Sequence, residues 1–429
     1  MEISQLYDIF KQYPIVTTDT RNCPQDSIFF ALKGATFDGN EYAKQAIAEG
    51  CKYAIVDDAN YADESANILL VEDVLKTLQE LAAYHRRKLK IPVIGITGTN
   101  GKTTSKELVT TVLSQDFNVL ATQGNLNNHI GVPLTLLRMT KQHDIAVIEM
   151  GANHVGEIKI LSEIADPNYG LITNVGYAHI EGFGSFENII KTKRELYEYI
   201  GGSKDGKIFV DYDNTYLMQM KEDITSIFYG KEDDLFVCGR VESMNPYLTF
   251  AWKFSKNYHI VPTQLIGEYN LTNVLAAVAI GKYFGVKTHK ISSAISEYIP
   301  TNNRSQLKKT DKNTLIIDAY NANPSSMNAA LTNFFKIDVS NKALILGDMK
   351  ELGVDTEAEH KKVVDLLIAN KLKDVYLIGA NFGKIESPFH KFSSFDDFAT
   401  YLKEHALRDR YILIKGSRGM QLEKCIDLL

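Results

Sequence analysis

One loop constrains this chain more than any other feature. Gly98-Thr99-Asn100-Gly101-Lys102-Thr103-Thr104 follows an apolar, β-branched run at 91–97 and precedes a helical pattern at 103–113. A glycine-rich turn between a strand and a helix N-terminus turns backbone N–H groups toward phosphate oxygens. Glycine permits both the turn and the close approach. Lys102 adds a positive charge near the β- and γ-phosphates, and the Thr103 hydroxyl suits Mg²⁺. The common GxxxxGK[ST] spacing would need glycine at 96, where Ile96 stands; the glycines fall at Gly95, Gly98 and Gly101. A strand–turn with an incidental lysine is the bland alternative. It is disfavoured because Gly-Lys-Thr lies on the helix start. The expectation is a parallel α/β fold that binds ATP with Mg²⁺.

The rest of the chain repeats this alternation. Apolar runs at 144–150 and 169–175 follow the loop, paired strands are expected within 236–253, and a helix over 270–284. Four more apolar runs, at 314–319, 342–347, 374–379 and 411–415, alternate with helical patterns. Strands alternating with helices imply parallel sheets with crossover helices. Before the loop come short strand-like runs at 27–32 and 53–56 and a helical pattern at 74–88. Three units are expected: a small N-terminal α/β domain over 1–89, a central phosphate-loop ATPase domain over 90–299, and a C-terminal Rossmann-like domain over 300–429. Each is long enough to bury its own core.

Composition excludes several classes. A net charge of −6 argues against a nucleic-acid partner. Cys23, Cys51, Cys238 and Cys425 form no CxxC pair, so neither a disulfide framework nor a zinc site is expected. No signal peptide is expected, and no apolar run is long enough to suggest a membrane span. A cytoplasmic enzyme is the natural reading.

Further polar clusters fall where strands end. Glu149 ends the run 145–148, placed to hold Mg²⁺ beside the loop; a solvated strand-end glutamate fits the position equally. His179 follows the third run, at the sheet edge where open α/β folds bind ligands. The asparagines Asn125, Asn127 and Asn128 lie in a Gly- and Pro-bounded loop, which bare sequence reads as a polar turn. Asp318 suits a ribose hydroxyl, with a helix-capping cluster as the alternative. Lys415-Gly416-Ser417-Arg418 is a basic turn able to hold a carboxylate, or simply a surface turn.

Together these segments resemble the Mur ligases, which build the peptide of a peptidoglycan precursor. The resemblance rests on the loop Gly98–Thr104, on 125–137, on Ala178-His179 with Phe183-Gly184-Ser185, on 318–324, and on 346–353. It covers nearly the whole chain and is similar to the member that adds the last dipeptide. It implies three domains, with ATP and Mg²⁺ used to activate the carboxylate of UDP-MurNAc-tripeptide as an acyl phosphate. The amine of D-Ala-D-Ala would then attack. A monomer is expected.

The resemblance also assigns roles. Lys102, Glu149, His179 and Lys193 would serve catalysis. Thr103, Glu149, His179 and a carbamylated Lys193 would hold metal. Taken bare, Lys193 reads as a solvated lysine in the charged stretch 191–198. Gly98, Thr99, Asn100, Gly101, Lys102, Thr103, Thr104, Asn270, Asn273, Arg304, Asp318 and Asn321 would bind ATP. Thr20, Arg21, Asn125, Asn127, Asn128, Asp348, Glu351, Lys415, Ser417 and Arg418 would meet the other substrates. Thr20 and Ser305 depart from the family pattern, as does the stretch 24–27. A sibling ligase, a folylpolyglutamate synthase-like enzyme and a nucleotide switch are the competing readings.

Overall fold

The computed structural model describes residues 1–301 and 303–429. Their strands fall into three sheets. The first is small and parallel: Val16–Thr17, Ile28–Phe30, Tyr53–Val56 and Ile68–Leu70 lie side by side in chain order. The helix Val74–Leu89 follows, started by the Asp73 side chain accepting from Lys76 N.

That helix closes the first unit yet packs on the second. Arg86 is buried and donates to the carbonyls of Ala165 and Asp166 and to Asn168 Oδ1. His85 Nε2 lies 2.8 Å from the Met139 carbonyl, and Gln79 Nε2 donates to the His129 carbonyl at 2.9 Å. One continuous apolar core runs from Leu6, Phe10 and Phe30 through Leu78 to Val93, Leu136 and Ile148.

The central sheet has Val93–Thr97 between Ile145–Glu149 and Tyr169–Ile172, all parallel. The expected runs are thus strands, slightly shorter than their apolar stretches. Three strands escaped the sequence reading on this side: Lys207–Asp211, Ser226–Gly230 and His259–Ile266. The last pairs antiparallel with Tyr247–Lys253, which pairs antiparallel with Val237–Met244. The sheet is therefore mixed.

The third sheet is parallel except at one edge. Gln306–Lys309 runs antiparallel to Thr314–Asp318; beyond it come Tyr411–Lys415, Lys342–Gly347, Asp374–Ile378 and His390–Phe392. Among the described residues, no helix is long and apolar enough to cross a membrane.

Candidate active site

The phosphate loop is built by backbone geometry. Gly98 has φ +140° and Gly101 φ +77°, conformations that favour glycine. A Cβ on Gly98 would meet Thr173 Oγ1 at 2.0 Å, and one on Gly101 would meet Asn273 Oδ1 at 2.7 Å. The loop is clamped from the end of the neighbouring strand. Thr173 Oγ1 donates to Asn100 O at 2.6 Å, Asn174 Nδ2 donates to Asn100 O at 3.0 Å, and Asn100 N donates to Asn174 Oδ1 at 3.0 Å. Gly101 caps the helix Lys102–Leu113 without a side-chain hydrogen bond, which leaves the first N–H groups of that helix for an anion.

Lys102 reaches back over the loop and donates to the carbonyls of Gly98 at 2.7 Å and Thr99 at 2.9 Å. Burial lowers its pKa to about 8, opposed by the nearby Glu149 charge and reinforced by Arg304. An arriving phosphate would favour the charged form further.

Glu149 lies beside the loop because its strand pairs in register with the one before it, Ile96 against Glu149. The carboxylate is buried. Its Oε1 accepts from Thr103 Oγ1 at 3.1 Å and from Asn127 Nδ2 at 2.8 Å. Its Oε2 is buried with no hydrogen-bond partner. An orphaned carboxylate oxygen next to a threonine hydroxyl suits a hard divalent cation such as Mg²⁺. Among the described residues, no three His, Cys, Asp or Glu gather around a common point.

His179 adopts φ +52° and its Nδ1 contacts Glu351 of the third domain. Burial lowers its pKa; Glu351 pulls it back up, and the charges of Lys102 and Lys193 push it down. Lys193 is fully buried inside Phe186–Gly201, which corrects the bare reading of a solvated lysine. Its Nζ lies 5.4 Å from the centre of the Phe183 ring. Burial, with the Lys102 charge, lowers its pKa to about 7. The signal was present in the sequence: Ile189, Lys193, Leu196 and Ile200 fall on one helical face, and the other three are buried there.

The third domain completes a cavity of about 860 Å³. Arg304, Asp318, Tyr320 and Lys415 of the third domain line it, as do Asn270 and Asn273 of the second. Lys415 is buried and donates to Asp318 Oδ2 at 2.6 Å, because the two are register partners on adjacent strands. Lys415 thus lines the large cavity and orients Asp318. Asn273 accepts from Ser105 Oγ at 3.0 Å and donates to Asn270 Oδ1 at 2.8 Å, so this pair props the loop helix from behind.

A smaller cleft adjoins. It is lined by His179, Asn321, Lys350, Glu351, Ser417 and Arg418. Asp348 lines neither cleft. Its carboxylate is spent on Asn381 N and Phe382 N, both at 2.9 Å, at the start of Ala380–Lys384. Asp348 thus caps the start of that short helix, a role held across more than thirty residues of sequence and so invisible locally.

Of the remaining candidates, Asn128 lines the large cavity, whereas Thr20, Arg21 and Asn125 line neither cleft. Arg21 is exposed and pairs with Asp19 at 2.7 Å beside Thr20 in the first domain. Asn128 Oδ1 accepts from Ile130 N and Gly131 N, a local turn, and exposed Asn125 does not line either cleft. The loop's clamping residues Thr173 and Asn174 were not anticipated as site residues. They end the third apolar run, the same sheet edge that drew attention to His179.

Three family models match in succession: the Mur ligase family catalytic domain over 12–86, the Mur ligase middle domain over 96–281, and the Mur ligase glutamate ligase domain over 303–418. The chain belongs to the Mur ligase family. Among Mur ligases, it is 36% identical over 429 residues to the UDP-N-acetylmuramoyl-tripeptide–D-alanyl-D-alanine ligase of Bacillus subtilis (strain 168), covering 96% of this chain and 93% of that protein. It superposes on MurF from Acinetobacter baumannii with a TM-score of 0.86 at 30% identity, covering 96% and 92% of the two chains. MurF ligase from Thermotoga maritima in complex with ADP gives 0.86 at 25% identity, covering 98% and 97%. The three-domain α/β architecture expected from sequence is thus that of the Mur ligases.

Proposed function

We infer that this chain is an ATP-dependent amide ligase that joins D-alanyl-D-alanine to UDP-N-acetylmuramoyl-tripeptide, giving the pentapeptide precursor of peptidoglycan. One observation carries the reading: a phosphate loop and a strand-end carboxylate on one domain face Arg304 and Asp318 of another across a single cavity. A free carboxylate is a poor acyl donor. Its oxygen attacks the γ-phosphorus of ATP, the bond to ADP breaks, and an acyl phosphate forms. The dipeptide amine then attacks the acyl carbon; phosphate leaves and the amine loses a proton.

In this reading residues 1–89 take the UDP end through the region of Thr20 and Arg21. Residues 90–299 hold the triphosphate, and 300–429 present the dipeptide and part of the nucleotide site. The loop N–H groups and Lys102 cradle the β- and γ-phosphates. Arg304 meets phosphate from the opposite wall, and Asp318, held by Lys415, accepts from the ribose. Mg²⁺, when bound, neutralises the charge of the two anions that must approach each other. Thr103 and Glu149 would hold it, with His179 and a carbamylated Lys193 as further ligands. Above about pH 7 the Lys193 amine is largely neutral. Its nitrogen can then bond to the carbon of CO₂ and release a proton, which supplies the carboxylate that the acidic residues alone lack. Arg418 and Ser417 meet the dipeptide in the small cleft.

Phosphate release with UDP-MurNAc-tripeptide and ATP tests the reading. Release that requires D-alanyl-D-alanine supports it. Turnover indifferent to the dipeptide overturns it.

A further inference from the structure

Two guanidinium groups share one aromatic ring where the two clefts meet. Arg304 Cζ lies 3.8 Å from the centre of the Tyr320 ring, and Arg418 Cζ lies 5.4 Å from the same centre. Their strands explain the meeting. Gln306–Lys309, Thr314–Asp318 and Tyr411–Lys415 are neighbours in the third sheet. Arg304 enters the first, Tyr320 leaves the second and Arg418 leaves the third. Arg304 and Tyr320 line the large cavity, whereas Arg418 lines the small one. Arg304 Nε is buried without a hydrogen-bond partner, and the face of Tyr320 lies against its guanidinium. Arginine favours such a face by electrostatic attraction and by stacking.

We propose that Tyr320 is a positioning residue that sets both arginines and couples the occupancy of the nucleotide cavity to that of the dipeptide cleft. The proposal rests on the reading that Arg304 meets phosphate and Arg418 the dipeptide. Two cations at one ring repel each other. An anion that settles on Arg304 cancels that repulsion, and the ring then holds Arg418 in the conformation its ligand needs. The coupling is reciprocal, because each ligand changes the affinity of the other by the same factor.

The test measures binding of D-alanyl-D-alanine to the full chain by calorimetry, with UDP-MurNAc-tripeptide present, with and without a non-hydrolysable ATP analogue. The analogue's own affinity is measured as well. Wild type and Tyr320→Phe, which keeps the ring, bind the dipeptide more tightly when the analogue is present. Tyr320→Leu weakens both ligands by about tenfold and loses the coupling. Tyr320→Gln serves if the leucine variant fails to fold. Unchanged affinities in the ringless variants overturn the proposal. So does loss of only one of the two affinities, or a Tyr320→Phe as damaged as Tyr320→Leu. If wild type binds no dipeptide, the functional reading itself fails. The analogue's affinity in the Phe and Leu variants then still decides whether the ring positions Arg304.

Discussion

Asn323 Nδ2 donates to Asn100 Oδ1 at 2.9 Å, joining the third domain to the tip of the phosphate loop. The same asparagine caps the helix Pro324–Lys336, accepting from Ser326 N at 2.8 Å. Tyr177 N donates to Ser325 Oγ at 2.9 Å, and Glu181 N to the Glu351 carbonyl at 3.2 Å. The described arrangement is thus a closed one, with the nucleotide cavity roofed by a helix start.

Asn323→Ser separates the two roles of this residue. Serine caps helices as well as asparagine does, but it is too short to reach Asn100. The melting temperature should stay near wild type, while kcat/KM falls about fivefold, the worth of one hydrogen bond. A parallel loss of stability would mean that the cap, not the interdomain bond, carries the effect.

Glu149→Gln keeps an acceptor for Thr103 and Asn127 and replaces the orphaned oxygen with an amide nitrogen. Removing a buried, half-satisfied charge should leave the metal-free protein at least as stable. The Mg²⁺ concentration for half-maximal turnover should rise by about tenfold or more. An unchanged Mg²⁺ requirement in titrations would remove Glu149 from the metal site.

Lys193, with its pKa lowered to about 7, is a neutral amine above that pH. Carbamylation needs the neutral form, so the modified fraction should rise with pH through about 7. ¹³C-bicarbonate should give a carbamate resonance that grows across this range and is missing in Lys193→Ala. A wild-type spectrum identical to that of the variant would exclude the modification.

Asp211 gives a stability signature away from the site. Burial raises its pKa from 3.8 to about 6. The folded chain therefore binds more protons than the unfolded one between those values, and stability falls as pH rises through this window. Two pKa units correspond to about 3 kcal/mol at most. Asp211→Asn keeps the acceptor that Asp213 N uses at 3.1 Å. The variant should melt higher than wild type at pH 8 and no higher at pH 4. Equal shifts at both pH values would show that the carboxylate's ionisation is not the cause.

What the sequence discloses follows physical lines. Lys342–Gly347 and Tyr411–Lys415 are read to the residue because buried parallel strands are unbroken apolar runs. Gln306–Lys309 is missed because an edge strand carries polar side chains, and His259–Ile266 because Pro262 interrupts it. The loop, Glu149 and Asp318 were legible because a strand end followed by a turn is a local signal. The capping use of Asp348 and the grip of Lys415 on Asp318 are tertiary, and no spacing announces them.

The helix Val74–Leu89 has one more consequence. Through Gln79, His85 and Arg86 it bonds the first domain to the second, which sets the span between them in this structure. In the proposed function, a substrate anchored by its nucleotide at one end delivers its carboxylate to the loop at the other. Each peptide residue spans about 3.5 Å. A peptide one residue short therefore stops that far from the phosphorus, beyond the contact from which attack proceeds. On that reading the frame itself would measure length, with no side chain needed to count.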